Sequence, residues 1–338
     1  MVAKRDVSID ILRFIGIAFI ILAHILPSGT ALFQLRTFDV SLMIFVSGLA
    51  YAGRKMESYP RFVWKRVQRL LTPVYLFLAA YFVVNWLFAA LGMAEMTPTE
   101  KIIGTFLLVD PNIGYVWVIR IFLTIMLVTP PLMRLERAVK KEWIFGLSVG
   151  LWLVAQYYLV ARLIPLHPGR FVTDYVLYTT GYAVLFLLGL RMKRTSGKVQ
   201  SVYVLFFAVA MVWLGFGVAA ERGSWLKMQW YKYPPQTYYL VWGALVSLLL
   251  WSCRRWWSRW LDRKWVLFIG QNTIWIYLWH IPLVAPVNEM LTETCWIWRY
   301  ALVGGCSIGI CYLQSLVVGR IAAKRPDRKN RMLKFLKG

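Results

Sequence analysis

The sequence is poor in charged residues, in cysteine and in histidine. Charged residues make up 16% of its 338 residues, whereas about 25% is usual for a soluble globular protein. The four cysteines show no C-x-x-C spacing, so a disulfide framework or a zinc site is not indicated. We expect buried, unreactive thiols and no metal. There is no convincing internal repeat, which counts against transporter folds built from inverted halves.

Long apolar runs occupy most of the chain, and hydrophobic residues make up 59% of it. Because about 20 apolar residues span a bilayer core, we predict an all-α, polytopic membrane helix bundle with about ten transmembrane helices. The weakly apolar stretch 101–109 is too short to span, and we interpret it as re-entrant or interfacial. The segments that meet or approach the required length are 9–27, 38–53, 70–91, 113–133, 143–161, 174–190, 201–220, 236–253, 265–287 and 295–319.

The net charge of +24 is distributed unevenly over the predicted loops. With the N-terminus in the cytoplasm, 29 Lys and Arg residues lie on the cytoplasmic side and 8 on the opposite side, among them Arg36 and Lys232. This excess follows the positive-inside rule and predicts that both termini are cytoplasmic. We therefore attribute the basic charge to membrane topology and expect no nucleic-acid partner. We assign 1–319 to a membrane domain and 320–338 to a basic cytoplasmic tail.

The first apolar segment carries three ionisable residues, Asp10, Arg13 and His24. Arg13 and His24 are eleven positions apart, which on a helix places them on one face and about 16 Å apart along the axis. Asp10 precedes Arg13 by three positions and lies on the same side. Such groups are expensive in a membrane and usually mark a site. The alternatives are an interfacial histidine wetted by headgroups and an arginine that extends to the membrane surface.

The basic stretch at the start of the third segment contains Arg66 and Arg69, which share a helix face. Guanidinium groups paired at a membrane surface suit a polyphosphate ligand. Ordinary positive-inside charge that attracts anionic membrane lipids explains them equally well. We expect 54–69 to be a loop and Pro73 to lie in the first turn of the helix that follows.

A third group of polar residues lies in the ninth segment and includes Asn272, Tyr277 and His280. Tyr277 and His280 are three positions apart and adjacent on one helix face. Hydrogen bonding between helices is the competing explanation for polar side chains here. This competing explanation is weaker for His280, because the chain has only three histidines and the third, His167, is in a predicted loop.

Two shorter patterns have both a structural and a functional interpretation. Ser47 and Gly48 in the second segment are more typical of close helix packing than of chemistry. Trp117 is either an interfacial belt residue or a platform on which a sugar stacks, and Arg120 has no evident partner in the sequence.

Taken together, these stretches resemble the acyltransferase-3 family of membrane O-acyltransferases, bacterial enzymes that acylate surface glycans. The resemblance covers nearly the whole chain and keeps the order of the motifs. The matching stretches are IDILRFIGIAFIILAHI, with ten residues between Arg13 and His24; FVSGLAYAG; RFVWKRVQRLLTPVYL; VWVIRIFLTIMLVTPPL; and GQNTIWIYLWHIPL. The chain departs from the family pattern at Thr273, where Ser is common, and in SGLAYAG, which lacks the usual Ser-Gly-Tyr-Leu run.

The resemblance implies a role for each candidate residue. His24 would be the catalytic base, and Arg13 would position it or the thioester end of the donor. We place Asp10 with them in the catalytic group, as the counter-ion of Arg13. Arg66 and Arg69 would bind the phosphates of acyl-CoA. The residues that would line the substrate cavity are His280, Tyr277, Asn272, Trp117 and Ser47.

The function implied is transfer of an acyl group, most often acetyl, from cytoplasmic acetyl-CoA to a glycan hydroxyl at the bacterial cytoplasmic (inner) membrane. O-antigen, exopolysaccharide, peptidoglycan and a lipid-linked sugar all remain open as acceptors. The main rival is a transporter or flippase for a charged solute or glycan intermediate, which would not turn over acyl-CoA. A non-catalytic membrane subunit of a glycan-export complex is the third interpretation.

Overall fold

The computed structural model describes residues 6–55, 57–324 and Leu336, which form helices and turns without a β-strand. The predicted all-α fold is therefore confirmed for this part of the chain. The α-helices are α1 (Val7–Ala23), α2 (Ala31–Leu35), α3 (Asp39–Tyr51), α4 (Tyr59–Ala90), α5 (Thr99–Leu107), α6 (Val116–Ala138), α7 (Glu142–Leu163), α8 (Tyr178–Met192), α9 (Gly197–Arg222), α10 (Thr237–Ser252), α11 (Arg254–Leu261), α12 (Lys264–Gln271), α13 (Thr273–Met290) and α14 (Trp296–Lys324).

The helices fall into two compact units. Residues up to 56 together with 124–270 form unit 1, and residues 57–123 together with those from 271 onward form unit 2. Unit 1 therefore contains α1 to α3 and α7 to α11, whereas unit 2 contains α4, α5, α13 and α14. Helices α6 and α12 contribute to both units, because the boundaries fall within them.

Seven helical stretches among the described residues are long and apolar enough to cross a membrane. They are 31–51, 59–90, 116–138, 142–166, 172–192, 197–222 and 296–323. The other three predicted segments correspond to shorter helices: α1 with 17 residues, α10 with 16, and α12 followed by α13. The count of ten spans and the cytoplasmic termini stay predictions.

Helices α3 and α8 of unit 1 touch through their backbones. A Cβ atom added to Gly48 would lie 2.2 Å from the carbonyl oxygen of Phe186, and one added to Gly189 would lie 2.0 Å from that of Phe45. The neighbouring Ser47 donates its hydroxyl to the Met43 carbonyl of its own helix at 2.9 Å. Small residues permit this close approach, so the prediction of close helix packing is confirmed for Gly48.

Helix α4 differs from the expectation in where it begins. It starts at Tyr59, with Pro60 in its first turn, and continues for 32 residues, so the basic stretch 61–69 is helical and not a loop. Pro73 is consequently inside the helix rather than in its first turn. The apolar run begins only after Arg69, but Arg and Lys are good helix formers, and the helix extends back through them.

Helix α5 has nine residues and ends at Leu108, which adopts a left-handed backbone conformation with φ of 60°. At about 1.5 Å per residue such a helix is far shorter than a bilayer core, which agrees with the prediction that 101–109 does not span. At the other end of the chain, α14 continues to Lys324, beyond the predicted domain boundary at 319. The rest of the predicted tail lies outside the described residues except for Leu336.

The cysteines are less buried than we expected. All four are free, and only Cys311 is buried, whereas Cys253, Cys295 and Cys306 are exposed on the protein surface. Apolar position in the sequence did not predict burial, because only 22% of the most apolar window of α14 is buried inside the protein. A helix in a membrane can direct apolar side chains toward lipid as well as toward the protein interior.

Candidate functional site

The predicted site residues are divided between the two units. Unit 1 contains Asp10, Arg13, His24 and Ser47, and unit 2 contains Arg66, Arg69, Trp117, Asn272, Tyr277 and His280. Within each unit, some of these residues are in contact with one another.

Asp10 and Arg13 form an ion pair on α1. Arg13 donates Nη1 to Oδ1 of Asp10 at 3.3 Å, as expected for residues one helical turn apart. Asp10 is 2% exposed, whereas the Arg13 side chain is about one-third exposed. The backbone of Asp10 is fixed by α12, since a Cβ atom on Gly270 would lie 2.0 Å from the Asp10 carbonyl oxygen. This contact is the one expected if Asp10 is the counter-ion of Arg13. A catalytic role for either residue stays a prediction.

His24 ends the same helix. It is the C-cap residue of α1, and its backbone N–H bonds to the carbonyl oxygens of Ile21 and Leu22. The side chain is half-buried. Because α1 is continuous from Val7 to Ala23, Arg13 near its middle and His24 at its C-terminal end belong to one rigid element, about 16 Å apart at helical rise.

A buried cluster of ion pairs lies where α3 begins. Arg36, in the turn before α3, places Nη1 2.9 Å from Oδ2 of Asp39, the first residue of α3. Lys232, in the loop between α9 and α10, places Nζ 3.4 Å from Oδ1 of the same carboxylate. All three residues are at most 3% exposed. We call Arg36, Asp39 and Lys232 the Asp39 cluster.

Further polar contacts hold the cluster in place. Asp39 Oδ1 also accepts the backbone N–H of Val40 at 2.7 Å, and a carboxylate at a helix N-terminus is favourable. Arg36 directs Nη2 toward Oε1 of Gln229 at 3.4 Å, and the Gln229 backbone N–H donates to Oε1 of Gln34 at 2.9 Å. The turn before α3 and the loop before α10 are thereby tied together.

The two cations of the Asp39 cluster are close to His24. Two cations face one carboxylate, and both Lys232 and Arg36 are close enough to His24 to act on it electrostatically. Burial alone would lower the pKa of Lys232, but the Asp39 carboxylate outweighs burial, and the pKa of Lys232 is raised above its ordinary value. Lys232 is therefore cationic at neutral pH.

Sequence reasoning missed this cluster. Arg36 and Lys232 were counted among the loop charges of one membrane side, because nothing in a single sequence shows that Lys232 pairs with Asp39, which is 193 positions away. Asp39 could have indicated the cluster, because few carboxylates occur in apolar segments of this chain and a buried carboxylate requires a partner.

In unit 2, Tyr277 and His280 are buried on α13 next to Tyr115. The ring of His280 lies 5.0 Å from that of Tyr277 and 5.7 Å from that of Tyr115, between centroids. Nδ1 of His280 contacts the Tyr277 carbonyl oxygen, and the Tyr277 hydroxyl donates to the Tyr115 carbonyl at 2.6 Å. The prediction that Tyr277 and His280 are adjacent on one face is confirmed.

Arg120, for which the sequence suggested no partner, also has a defined contact in unit 2. It is 3% exposed and donates Nη1 to the Leu108 carbonyl at the end of α5, at 3.1 Å. Trp117, one turn earlier on α6, is half-buried. Asn272 is buried at the N-cap of α13.

The two predicted phosphate-binding arginines lie on α4. Arg66 is half-buried, and its guanidinium carbon is 5.6 Å from the centre of the Phe62 ring, one turn away. Arg69 is exposed. Both therefore remain accessible to a ligand.

Within the described residues, no three His, Cys, Asp or Glu side chains are placed so that they could hold a metal ion.

Comparisons with known proteins identify the family to which this arrangement belongs. The family model described as an acyltransferase domain matches residues 6–316. Searches of curated proteins and of solved structures found no significant match. The matched region includes both units and every predicted site residue. By this match over nearly its whole length, the chain belongs to the acyltransferase-3 family.

Proposed function

We propose that this protein moves an acyl group, most simply acetyl, from cytoplasmic acyl-CoA to a hydroxyl of a cell-surface or lipid-linked glycan, as an O-acyltransferase of the bacterial inner membrane. The observation that supports this best is the position of His24 at the end of α1, half-buried and beside two buried cations, in a chain of an acyltransferase family. A neutral imidazole is well suited to remove a hydroxyl proton.

In the proposed reaction, His24 removes the proton from an acceptor hydroxyl while the hydroxyl oxygen forms a bond to the thioester carbonyl carbon. The carbon–sulfur bond then breaks, and the leaving thiolate takes the proton from His24. The products are an ester and free CoA thiol. General-base assistance contributes on the order of 10²–10⁴ in rate, and the remainder comes from orientation of the two substrates. An acyl-histidine intermediate is the alternative route, because imidazole is also a nucleophile.

The donor is assigned to Arg66 and Arg69 on α4. Arginine suits this task because each planar guanidinium can form two parallel hydrogen bonds to phosphate oxygens. Arg69 is exposed and Arg66 is partly exposed, which is compatible with binding of a ligand from outside the protein. Arg13, held by Asp10 at 3.3 Å, is assigned to the thioester end of the donor or to His24.

The remaining candidates are proposed as cavity residues rather than as catalytic groups. Tyr277 and His280 contact each other and are buried, and Asn272 and Trp117 belong to the same unit. The hydroxyl of Ser47 is bonded to its own helix, so we assign it to the packing of α3 and not to the chemistry.

The test uses purified protein in detergent, radiolabelled acetyl-CoA and surface glycan from a strain that lacks this protein. We expect release of free thiol together with transfer of label to the glycan. His24→Ala should slow both by about a hundredfold or more, whereas His167→Ala, which changes an exposed loop histidine, should leave both unchanged. Full transfer by a correctly folded His24→Ala protein would show that His24 is not the base. Failure of the wild type to release thiol would favour the transporter interpretation.

A further inference from the structure

Helix α11 of unit 1 is short, basic and rich in tryptophan. Its sequence is RRWWSRWL. At 1.5 Å per residue such a helix is only about 12 Å long, so it cannot cross a bilayer. It begins two positions after the end of the apolar helix α10, at Arg254. A short helix of this composition next to an apolar one is typical of a membrane surface.

One side of α11 is held by the protein. Arg254 donates Nη1 to Oε1 of Gln200 at 3.2 Å and to the Trp251 carbonyl oxygen at 2.9 Å. Trp257 and Leu261, which follow Arg254 on the same side of the helix, are half-buried. Helix α11 packs in this way against α1 and α10. This side fixes the orientation of α11 and decides which side chains project outward.

The outward side of α11 carries two arginines next to two tryptophans. Arg255 and Arg259 are exposed and lie one turn apart. Trp256 is 54% exposed and Trp260 is 66% exposed, and each follows an arginine by one position, a rotation of about 100°. Trp265, at the start of α12, is 58% exposed. Exposed indole rings beside basic groups are typical of the boundary between acyl chains and headgroups.

The charge of this surface is strongly positive. Among the described residues, no carboxylate lies within ion-pair distance of Arg255 or Arg259. The stretch 254–264 contains five basic residues and a single acidic one, Asp262. A basic surface of this kind at a membrane attracts anionic lipids.

We infer that α11 lies at the membrane surface and binds anionic phospholipid. Arg255 and Arg259 pair with the lipid phosphate groups, for which the planar guanidinium is well suited. The exposed rings of Trp256 and Trp260 lie beside the upper parts of the acyl chains. Neither interaction depends on acyl transfer.

The bound lipid supports the part of α1 that carries Arg13. The ring of Trp265 packs edge-on against that of Phe14, with 5.5 Å between the centroids, and Phe14 follows Arg13 directly. Arg254 is close enough to Asp6, the N-cap residue of α1, to interact with it electrostatically. Helix α11 and the start of α12 therefore lie against the N-terminal half of α1, and a lipid held there stabilises that half.

The double variant Arg255→Gln/Arg259→Gln tests the inference. It removes both charges at exposed positions, where polar substitutions are tolerated. The double variant Arg134→Gln/Lys140→Gln is the matched control, because it removes two charges from exposed residues at the end of α6 and just after it, in the same unit. Arg255→Lys/Arg259→Lys keeps both charges and serves as the rescue.

Thermal melting of delipidated protein in a neutral detergent is followed while dioleoylphosphatidylglycerol or dioleoylphosphatidylcholine is added. We expect phosphatidylglycerol to raise the melting temperature of the wild type, and phosphatidylcholine to have little effect. In Arg255→Gln/Arg259→Gln, the phosphatidylglycerol concentration at half-maximal shift should rise about tenfold or more. The control and the lysine variant should stay within about threefold of the wild type, and added salt should weaken the wild-type response.

The tryptophans are tested in the same titration. Trp256→Ala/Trp260→Ala keeps the arginines and removes the two exposed rings, so it should also raise the concentration at half-maximal shift. A wild-type response in this variant would overturn the placement of the rings beside the acyl chains.

Three other results overturn binding of anionic lipid at α11. They are an equal shift with both lipids, a wild-type response of Arg255→Gln/Arg259→Gln, and an equal loss in the Arg134→Gln/Lys140→Gln control, which would indicate general surface charge. Coenzyme A without an acyl group is titrated as well. If coenzyme A and not phosphatidylglycerol gives a shift that depends on Arg255 and Arg259, the surface binds the donor and not a lipid. Because melting needs no acyl transfer, these results do not depend on the proposed function.

Discussion

The ammonium nitrogen of Lys232 lies 3.4 Å from a carboxylate oxygen of Asp39, although 193 positions separate the two residues in sequence. Through this contact the loop before α10 is fixed to the first turn of α3, and a buried positive charge is held beside the end of α1. The arrangement gives His24 a cationic environment that the sequence of its own helix does not reveal.

Lys232 should stabilise the folded protein over the whole neutral pH range. Its pKa is raised above the ordinary value of 10.5, so its contribution is complete below that pH and is lost as pH rises through the still higher folded value. We expect Lys232→Met to lower the free energy of unfolding by about 1–3 kcal/mol. In melts across a pH series, the difference from wild type should be constant near neutrality and shrink only above pH 10.5.

Lys227→Met serves as the control for loss of a lysine from this loop, and it should shift the melting temperature little. A stabilising effect of Lys232 that disappeared between pH 6 and 8, where lysine does not titrate, would contradict the assignment of the charge to Lys232.

The ion pair on α1 predicts that Asp10 and Arg13 act as a unit. Asp10→Asn and Arg13→Gln should each lower stability, and the double variant should lose less than the sum, because either change already breaks the 3.3 Å contact. The coupling energy expected for residues in contact is about 0.5–3 kcal/mol. Thermal melts of the four proteins in one detergent measure it, and additive losses would show that the contact does not stabilise the fold.

The helices and the faces that their residues share could be predicted from the sequence. This is because the length of an apolar run and the spacing of residues along a helix involve only near neighbours in the chain. The helix at each predicted segment, the adjacency of Tyr277 and His280, and the packing role of Gly48 all follow from such local patterns. The start of α4 at Tyr59 was not predicted, because an apolar pattern does not show where a helix continues into polar residues.

The Asp39 cluster could not be predicted because its charges come from two distant loops. A loop lysine such as Lys232 is normally solvated, and only the folding of the α9–α10 loop back onto the bundle buries it. That folding depends on contacts such as the Tyr238 hydroxyl with the Trp225 carbonyl at 2.7 Å, and the indole of Trp225 against Gly215. These are tertiary contacts with no periodic signature.

If Arg66 and Arg69 bind donor phosphates, their replacement should matter only for donors that carry phosphates. We expect Arg66→Ala and Arg69→Ala each to raise KM for acetyl-CoA about tenfold or more, the value of a lost charge-assisted hydrogen bond. With acetyl-pantetheine, which lacks the nucleotide phosphates, wild type and variants should have the same KM. Steady-state thiol release with both donors measures this.

Arg61→Ala is the matched control for the donor experiment, because Arg61 is an exposed arginine in the first turns of the same helix α4. It should leave KM for acetyl-CoA within about twofold if the effect depends on position. An equal rise of KM in all three variants would instead indicate general attraction of the anionic donor to a basic surface.

The contact between α3 and α8 predicts how sensitive unit 1 is to one added methyl group. Gly48→Ala places a Cβ atom 2.2 Å from the Phe186 carbonyl oxygen, a backbone atom that can move only if α8 moves. We expect a loss of about 1–3 kcal/mol in stability, as for overpacked cores. Gly217→Ala on α9 is the control, since a Cβ atom there meets nothing within 4 Å and alanine favours the helix by about 1 kcal/mol. Melting temperatures should therefore move in opposite directions, and a Gly48→Ala protein as stable as wild type would show that α3 and α8 are not in backbone contact.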